Sequence, residues 1–344
     1  MLRPIILNYK VLYVSKEFII GSRGYRLFIS KDSGASWKYW ARLPYDLFFI
    51  IACSRVLSRL FRTEITHLYK VKSGSYFCIA KKGIYRMLGN NNGMFYKIHD
   101  IKRGSRPLNI ALDDDNNLFW GEYFSNSSRK EVHIFASFDN GNTWKPIFTF
   151  PAKSIRHIHG IFYDKVTDRL WCCTGDKDDE CRIGYLNKTK SEFVVVLSGN
   201  QKYRTTNLFF SDNNICFATD SPGSKNCFYR IDRETSEISV LVERIQNSVI
   251  HSTHTSKFFA FSTTAEPSEL NDSKNVFLWF SFDGINWKTI CSYKKDFLPM
   301  KYFQFGTFTF PTYEEHSEFL YVNCRALSKL DRKSLKFEIN QLLL

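Results

Sequence analysis

Three short segments of this chain repeat the pattern Ser-x-Asp-x-Gly-x-x-Trp, and the spacing between them constrains the fold more than any other feature. Two are intact, Ser30-Lys-Asp-Ser-Gly-Ala-Ser-Trp37 and Ser137-Phe-Asp-Asn-Gly-Asn-Thr-Trp144; the third, Ser281-Phe-Asp-Gly-Ile-Asn-Trp287, is one residue shorter. In such a segment the Ser and Asp side chains bond the backbone amides of a tight turn, Gly supplies positive φ, and Trp packs between neighbouring sheets. Weaker copies, each a polar turn followed by an apolar or aromatic strand, fall at Asn91–Tyr96, Asn187–Phe193, Asp232–Ile238 and Asp331–Phe337. The seven segments end at Trp37, Tyr96, Trp144, Phe193, Ile238, Trp287 and Phe337, giving intervals of 59, 48, 49, 45, 49 and 50 residues.

Units of about 40–50 residues, each made of short apolar strands and turns, are the size of a propeller blade. Runs such as Arg169–Thr174 and Asn214–Thr219 read as strands, and aromatic residues make up 17% of the chain, which suits stacked sheets. The expected fold is all-β: a single β-propeller of seven blades spanning residues 1–344, with six as the alternative if the second or last unit merges with its neighbour. No Pro/Gly/Ser-rich linker marks a domain boundary. The long first interval predicts an inserted amphipathic helix near residues 46–62, in which Phe48, Phe49, Ile50 and Ile51 share helical spacing with Arg55, Arg59 and Arg62. Its apolar face either lies against the outside of the blades or enters a membrane interface, with the arginines on anionic headgroups. An anionic membrane surface met through residues 47–62 is therefore an expected partner.

The start of the chain lacks the apolar core and cleavage site of a secretory signal, and no run reaches about 18 apolar residues. From these features the expected location is the cytoplasm, with a peripheral place at the inner membrane as the further expectation. Nine cysteines, without CxxC pairs, argue against a disulfide framework or zinc ribbon. The net charge of +14 is spread along the chain and attracts anionic partners. The basic residues form no single stripe and no nucleic-acid-binding motif is present, so nucleic acid is not an expected partner.

In a propeller blade the four strands run from the axis outward, so the turns carrying the repeated pattern lie on the underside. Function is sought on the opposite rim, where the loop before each first strand meets the loop between the second and third. The first set of loops yields Arg103, Arg106, Arg156, His157, His159, Gln201, Tyr203, Arg204, His251 and His254. The second yields Arg23, Lys82, Glu122, Tyr123, Asp176, Glu180, Asp220 and Glu266. Glu122, Tyr123, His157, Asp176 and Asp220 are the candidates for proton transfer or nucleophilic attack. Arg23, Arg106, Arg156, His159, Tyr203, Arg204 and Glu266 are the candidates for binding substrate, since arginine grips carboxylates in bidentate fashion.

The repeated segments resemble the Asp-boxes, or BNR repeats, of the sialidase-like propellers. In sialidases three arginines hold a carboxylate, a Tyr activated by Glu attacks, and an Asp is the acid/base; the resemblance offers Arg106, Arg156 and Arg204 for the triad and Glu122 or Tyr123 for the nucleophile. The Arg-Ile/Leu-Pro signature that precedes the first box in that family has its only counterpart here, Arg42-Leu-Pro44, behind the box. The set His157, His159, Gln201 and His254 also resembles the three-His, one-Gln metal site of seven-bladed oligogalacturonate lyases, where a cation neutralises a uronate carboxylate and an arginine takes a proton. Only that reading implies a cofactor, a divalent cation; otherwise none is expected. Gly121-Glu-Tyr, Arg156–His159 and Thr174–Asp176 are further similar to BNR-type proteins of bacterial capsule and surface-polysaccharide production. Together these imply a glycoside hydrolase-like protein acting on an acidic polysaccharide or its precursor. The alternatives are a non-catalytic scaffold at the membrane and a metal-assisted polysaccharide lyase.

Overall fold

The computed structural model describes residues 3–89, 93–187, 191–266, 268, 270, 273–315 and 317–343. Asn91 and Asn92 of the first weak copy, and residues 188–190 of the second, lie outside the described residues. The fold is an all-β propeller; among the described residues it comprises four sheets of four antiparallel strands, one of five strands with one parallel pair, and one of eight strands in which two four-stranded parts are joined, grouped in two compact units, Met1–Lys97 with His251–Leu344, and Ile98–Ile250. The chain passes between the units within strands Tyr96–Asp100 and Val249–His254.

The unit Ile98–Ile250 holds three consecutive sheets. The first comprises Ala111–Leu112, Leu118–Gly121, Val132–Ser137 and Lys145–Phe150; the second His157–Asp164, Arg169–Gly175, Arg182–Leu186 and Phe193–Ser198; the third Phe209–Phe210, Asn214–Ala218, Asn226–Asp232 and Ile238–Ile245. Inner strands are covered on both faces, and this explains the adjacent cysteines. Cys172 packs with Phe119, Ile134 and Ile158 toward the preceding sheet, and Cys173 with Ile215, Phe217 and Ile231 toward the following one. Successive side chains of a strand point to opposite faces, so each thiol fills one interface as a small apolar group. Both are free and buried.

Polar contacts lock the same interfaces. Asn109 exchanges two hydrogen bonds with the backbone of Ile161 (2.6 and 3.1 Å). Asp164, fully buried at the end of its strand, accepts both Arg233 Nη1 (2.7 Å) and Nη2 (3.0 Å) from the next sheet.

The other unit holds the sheets that begin at Lys10, His67, Val249 and Gly306. The last consists of Gly306–Thr309, Phe319–Arg325 and Ser334–Glu338 and is completed by Ile5–Leu7 from the start of the chain, paired antiparallel with Ser334–Lys336. It also pairs with the preceding sheet through Thr264 with Thr307 and Ala265 with Gly306. Asn323 and Ser334 bond the backbone of Val11, tying the last sheet to the first.

Each Ser-Asp-Gly-Trp segment forms the turn between the third and fourth strands of its sheet. Ser137 Oγ donates to Asp139 Oδ1 and accepts from Gly141 N (both 2.8 Å), Asp139 accepts Thr143 N (2.9 Å), and Trp144 Nε1 donates to Gly141 O (3.2 Å). The shorter third segment makes the equivalent set through Ser281, Asp283, Asn286 and Trp287. Gly34, Gly141 and Gly284 take φ of +99°, +80° and +74°, a region that penalises a side chain.

The inserted helix is present in two pieces, a correction to the single helix expected at 46–62. Helix α1 spans Leu47–Cys53 and α2 spans Arg55–Phe61; Ser54, extended at φ −86° and ψ 130°, ends the first and caps the second by accepting Leu57 N. The face assignment changes too. Arg59 is buried, ion-paired with Asp296 and Asp331 and donating to Phe303 O, so it does not meet solvent or headgroups. Phe49 and Ala52 pack inward, while Leu47, Ile50, Val56, Leu57, Leu60 and Phe61 face outward. Among the described residues no helix is long and apolar enough to cross a membrane.

Asp164→Ala leaves the Arg233 guanidinium in its half-buried place without a counter-charge, and the unfolding free energy is expected to fall by roughly 3 kcal/mol. Urea denaturation checks this, with Asp164→Leu/Arg233→Met expected to recover part of the loss.

Candidate functional site

Most of the polar residues singled out from the sequence lie in the unit Ile98–Ile250, and several converge on one carboxylate. Asp176 follows strand Arg169–Gly175 and is held through its backbone as well as its side chain. Its N–H donates to Glu180 Oε2 (2.9 Å), Glu180 is itself ion-paired with Arg129, and its carbonyl accepts Gln201 Nε2 (2.9 Å). The carboxylate then meets four cationic or ring nitrogens. Arg156 Nη1 donates to Oδ2 (2.7 Å), while Arg204 Nη2 (3.2 Å), His159 Nε2 (3.1 Å) and His157 Nε2 (3.4 Å) face Oδ1.

Strand alternation places His157 and His159 on one face, and their Nε2 atoms are 3.1 Å apart. His157 Nδ1 sits 3.0 Å from Phe124 O, which assigns its proton to Nδ1 and leaves a lone pair on Nε2. His159 Nε2–H is then the donor between its two acceptors, and His159 Nδ1 is buried without a hydrogen-bond partner. Residue 175 must be glycine for this ring to fit, because a Cβ there would come within 2.5 Å of His159 Cε1.

The electrostatics follow from these contacts. Burial alone would raise the Asp176 carboxyl, but the hydrogen bond from His159 and the charge of Arg204 outweigh it and hold the group well below the usual carboxylate range. Burial lowers His159 from 6.5 to about 4, despite its bond to Asp176, so it is neutral at pH 7. Tyr123, its ring 4.3 Å from that of His157, is pushed up to about 12 by desolvation and by the carboxylates of Asp220 and Asp176. Asp176 is thus ionised and Tyr123 a protonated phenol at pH 7. Tyr123 is 37% exposed and the Arg156 side chain 34%, so these two reach solvent beside the buried histidines.

The remaining candidates divide. Asp220 joins the cluster through Arg204, its Oδ2 3.8 Å from Arg204 Nε. Tyr203 lies in the 3₁₀ turn Gln201–Tyr203 beside it, packed against the apolar core of the second and third sheets. Glu122 is adjacent to Tyr123 in sequence but engaged elsewhere. It is buried, ion-paired with Arg103 and accepting His133 N (2.9 Å), which braces the loop. Gln201 spends its amide on the Asp176 carbonyl and on Asp178 Oδ1, both at 2.9 Å. Arg106 lies in the loop before Ala111–Leu112. Arg23, Glu266 and His254 belong to the other unit: Arg23 at the end of strand Ile19–Arg23, Glu266 after Phe259–Ala265, and His254 at the end of its strand, stacked on Phe259.

The strongest metal-ligating grouping among the described residues is His157, His159 and Asp176, whose ligand atoms lie within 4.8 Å of one another. The resemblance to a three-His, one-Gln metal site had grouped the histidines with Gln201 and His254 instead. The supporting residues Arg129 and the Phe124 carbonyl were invisible in the sequence, the first because its loop has no strand register and the second because a backbone carbonyl has no residue signature.

No protein-family model matches the chain, and neither does any curated protein sequence. Its solved structural neighbours are β-propeller proteins. A streptogramin B lyase superposes with TM-score 0.56 at 11% identity, over 96% of this chain and 93% of that one. A GH74 enzyme of Niastella koreensis gives 0.53 at 12%, over 83% of this chain and 46% of that one, and a chain of a nidogen/laminin complex 0.51 at 13%, over 84% and 95%. At these identities the likeness is one of fold, and the chain is thereby placed among the β-propellers.

The unfolded chain protonates His159 near pH 6.5, whereas the folded chain resists until about pH 4. The stability contributed by keeping this ring neutral is whole above pH 6.5 and is lost as pH falls to 4, a loss of roughly 3 kcal/mol. In chelator-containing buffer, urea unfolding of the wild type is expected to show this decline and His159→Gln to flatten it by that amount.

Proposed function

We propose that this propeller recognises an acidic sugar of a polysaccharide or its precursor at the Asp176 cluster and acts on it as a glycoside hydrolase-like enzyme. The observation carrying this reading is the convergence of Arg156 and Arg204 on one carboxylate beside an exposed tyrosine ring. Paired guanidinium forks are suited to a sugar carboxylate, and the ring face is suited to stacking on a pyranose. Arg156 Nε and Arg204 Nε are buried donors without hydrogen-bond partners, so donor capacity remains beyond that used by Asp176. Asp176, held ionised, would stabilise positive charge developing at an anomeric carbon or attack it; the proton for the leaving oxygen would come from Tyr123 or Asp220. The likeness of the repeated turns to Asp-boxes supports the carbohydrate class.

A second reading, a cation-assisted lyase, is favoured by the lone pairs of His157 Nε2 and Asp176 Oδ1 facing each other at 3.4 Å with His159 alongside. Against it, Arg204 already supplies positive charge to that oxygen.

Incubation with uronate- and sialate-containing oligosaccharides, read by product mass, separates the readings. Turnover that is abolished in Asp176→Asn, weakened roughly tenfold or more in Arg156→Gln, and indifferent to EDTA is expected. Activity lost in EDTA, restored by a divalent cation and yielding unsaturated products would replace hydrolase by lyase. Binding without products would leave a scaffold, and no binding of any acidic glycan would sink the proposal.

A further inference from the structure

The unit containing α1 and α2 encloses a cavity of about 390 Å³ that has no part in the site above. Its walls come from the first and last sheets and from the inner side of the two helices. They carry eight Lys or Arg residues against two carboxylates, Glu64 and Asp331. Both carboxylates are spoken for: Glu64 pairs with Lys10 (2.7 Å) and Arg325 (2.9 Å), and Asp331 with Arg55 (2.9 Å) and Arg59. Arg23, Arg26, Arg332 and Lys333 line the same space with no paired carboxylate among the described residues. Arg23 and Arg26 rest over the rings of Tyr9 and Phe49, and Arg332 donates to the Ala52 carbonyl (3.0 Å). Two buried donors in the wall, Thr63 Oγ1 and Arg325 Nε, have no hydrogen-bond partner.

Gathering like charges around a void is unfavourable unless an anion neutralises them, and buried donors left unsatisfied cost further free energy. One sugar carboxylate would cancel one charge. A phosphoryl or diphosphoryl group brings two or more negative charges and several acceptor oxygens, and the volume is that of a small-molecule site. We infer that this cavity binds a phosphorylated ligand through Arg23, Arg26, Arg332 and Lys333.

The same helices that line the cavity through Arg55, Ser58 and Arg59 turn Ile50, Leu60 and Phe61 outward. Arg59 also fixes the segment carrying Phe297, which is 93% exposed, through Asp296 and the Phe303 carbonyl. An apolar exterior over a cationic interior suits a phosphoryl group borne on a lipid headgroup, although a free phosphoester offers the same chemistry.

Isothermal titration of the full chain with inorganic pyrophosphate, and pelleting with phosphatidylcholine vesicles with and without phosphatidate, test the inference. Arg23 and Arg26 are exposed at the cavity mouth, so Arg23→Gln/Arg26→Gln should fold, and a thermal melt verifies it. Saturable pyrophosphate binding is expected, weakened roughly tenfold or more in this double variant but unchanged in Lys38→Gln/Lys145→Gln, which removes the same charge elsewhere. Phosphatidate-dependent pelleting that pyrophosphate competes away identifies the source as lipid; pyrophosphate binding without pelleting identifies a soluble phosphoester. Absence of both, equal loss in the two double variants, or loss in Arg156→Gln would overturn the inference. The last result would move the anion to the Asp176 cluster without touching the glycan reading.

Discussion

A small twisted sheet whose inner strands are apolar on both faces cannot exist alone, and this constraint organises the chain. Each sheet must be covered on two sides, and the only covering elements of matching shape are further copies of itself. Strand Arg169–Gly175, buried along nearly its whole length, shows the consequence: one side of Leu170-Trp-Cys-Cys173 meets the sheet before and the other the sheet after. The outermost strands, such as Phe193–Ser198, have one neighbour fewer and no fully buried residue. Pairing of Ile5–Leu7 with Ser334–Lys336 answers the same demand at the chain ends, because it supplies the last sheet with its fourth strand.

The loops inherit rigidity from this packing, and the Asp176 cluster depends on it. Two arginines, two histidines and a carboxylate come from the start of strand His157–Asp164 and three different loops, and none is positioned by its immediate sequence neighbours alone. Asp176 is fixed by Glu180, Gln201 and Arg129, none of which faces the cluster as a ligand group. The division of labour between Glu122 and Tyr123 shows how fine this placement is. Consecutive residues send one side chain inward to Arg103 and the other onto the ring of His157.

The insertion between the first two sheets uses the opposite arrangement. Seen as a helical wheel, Arg59 belongs to the polar side of an amphipathic helix, and polar sides normally face water. In the fold it is the inward residue, because Asp296 and Asp331 from the last sheets provide its counter-charges, and the apolar residues around it are left outside. A periodicity argument ranks faces by polarity; it cannot see a buried carboxylate more than two hundred residues away.

Sequence alone determined the repeating unit and its length, because turn chemistry at Ser-Asp-Gly-Trp and alternation in strands are local and written in consecutive residues. It also located the rim loops that carry Arg156, His157, His159, Asp176 and Arg204, since these follow from counting strands within a unit. Which of those residues meet was decided by tertiary structure. Asp176 rather than Gln201 or His254 faces the histidine pair, Glu122 is drawn off by Arg103, and Arg23 lines a separate cationic cavity. The physical reason is that a charged side chain settles against the nearest opposite charge or free donor in space, and loop conformation, which no periodicity encodes, sets what is near.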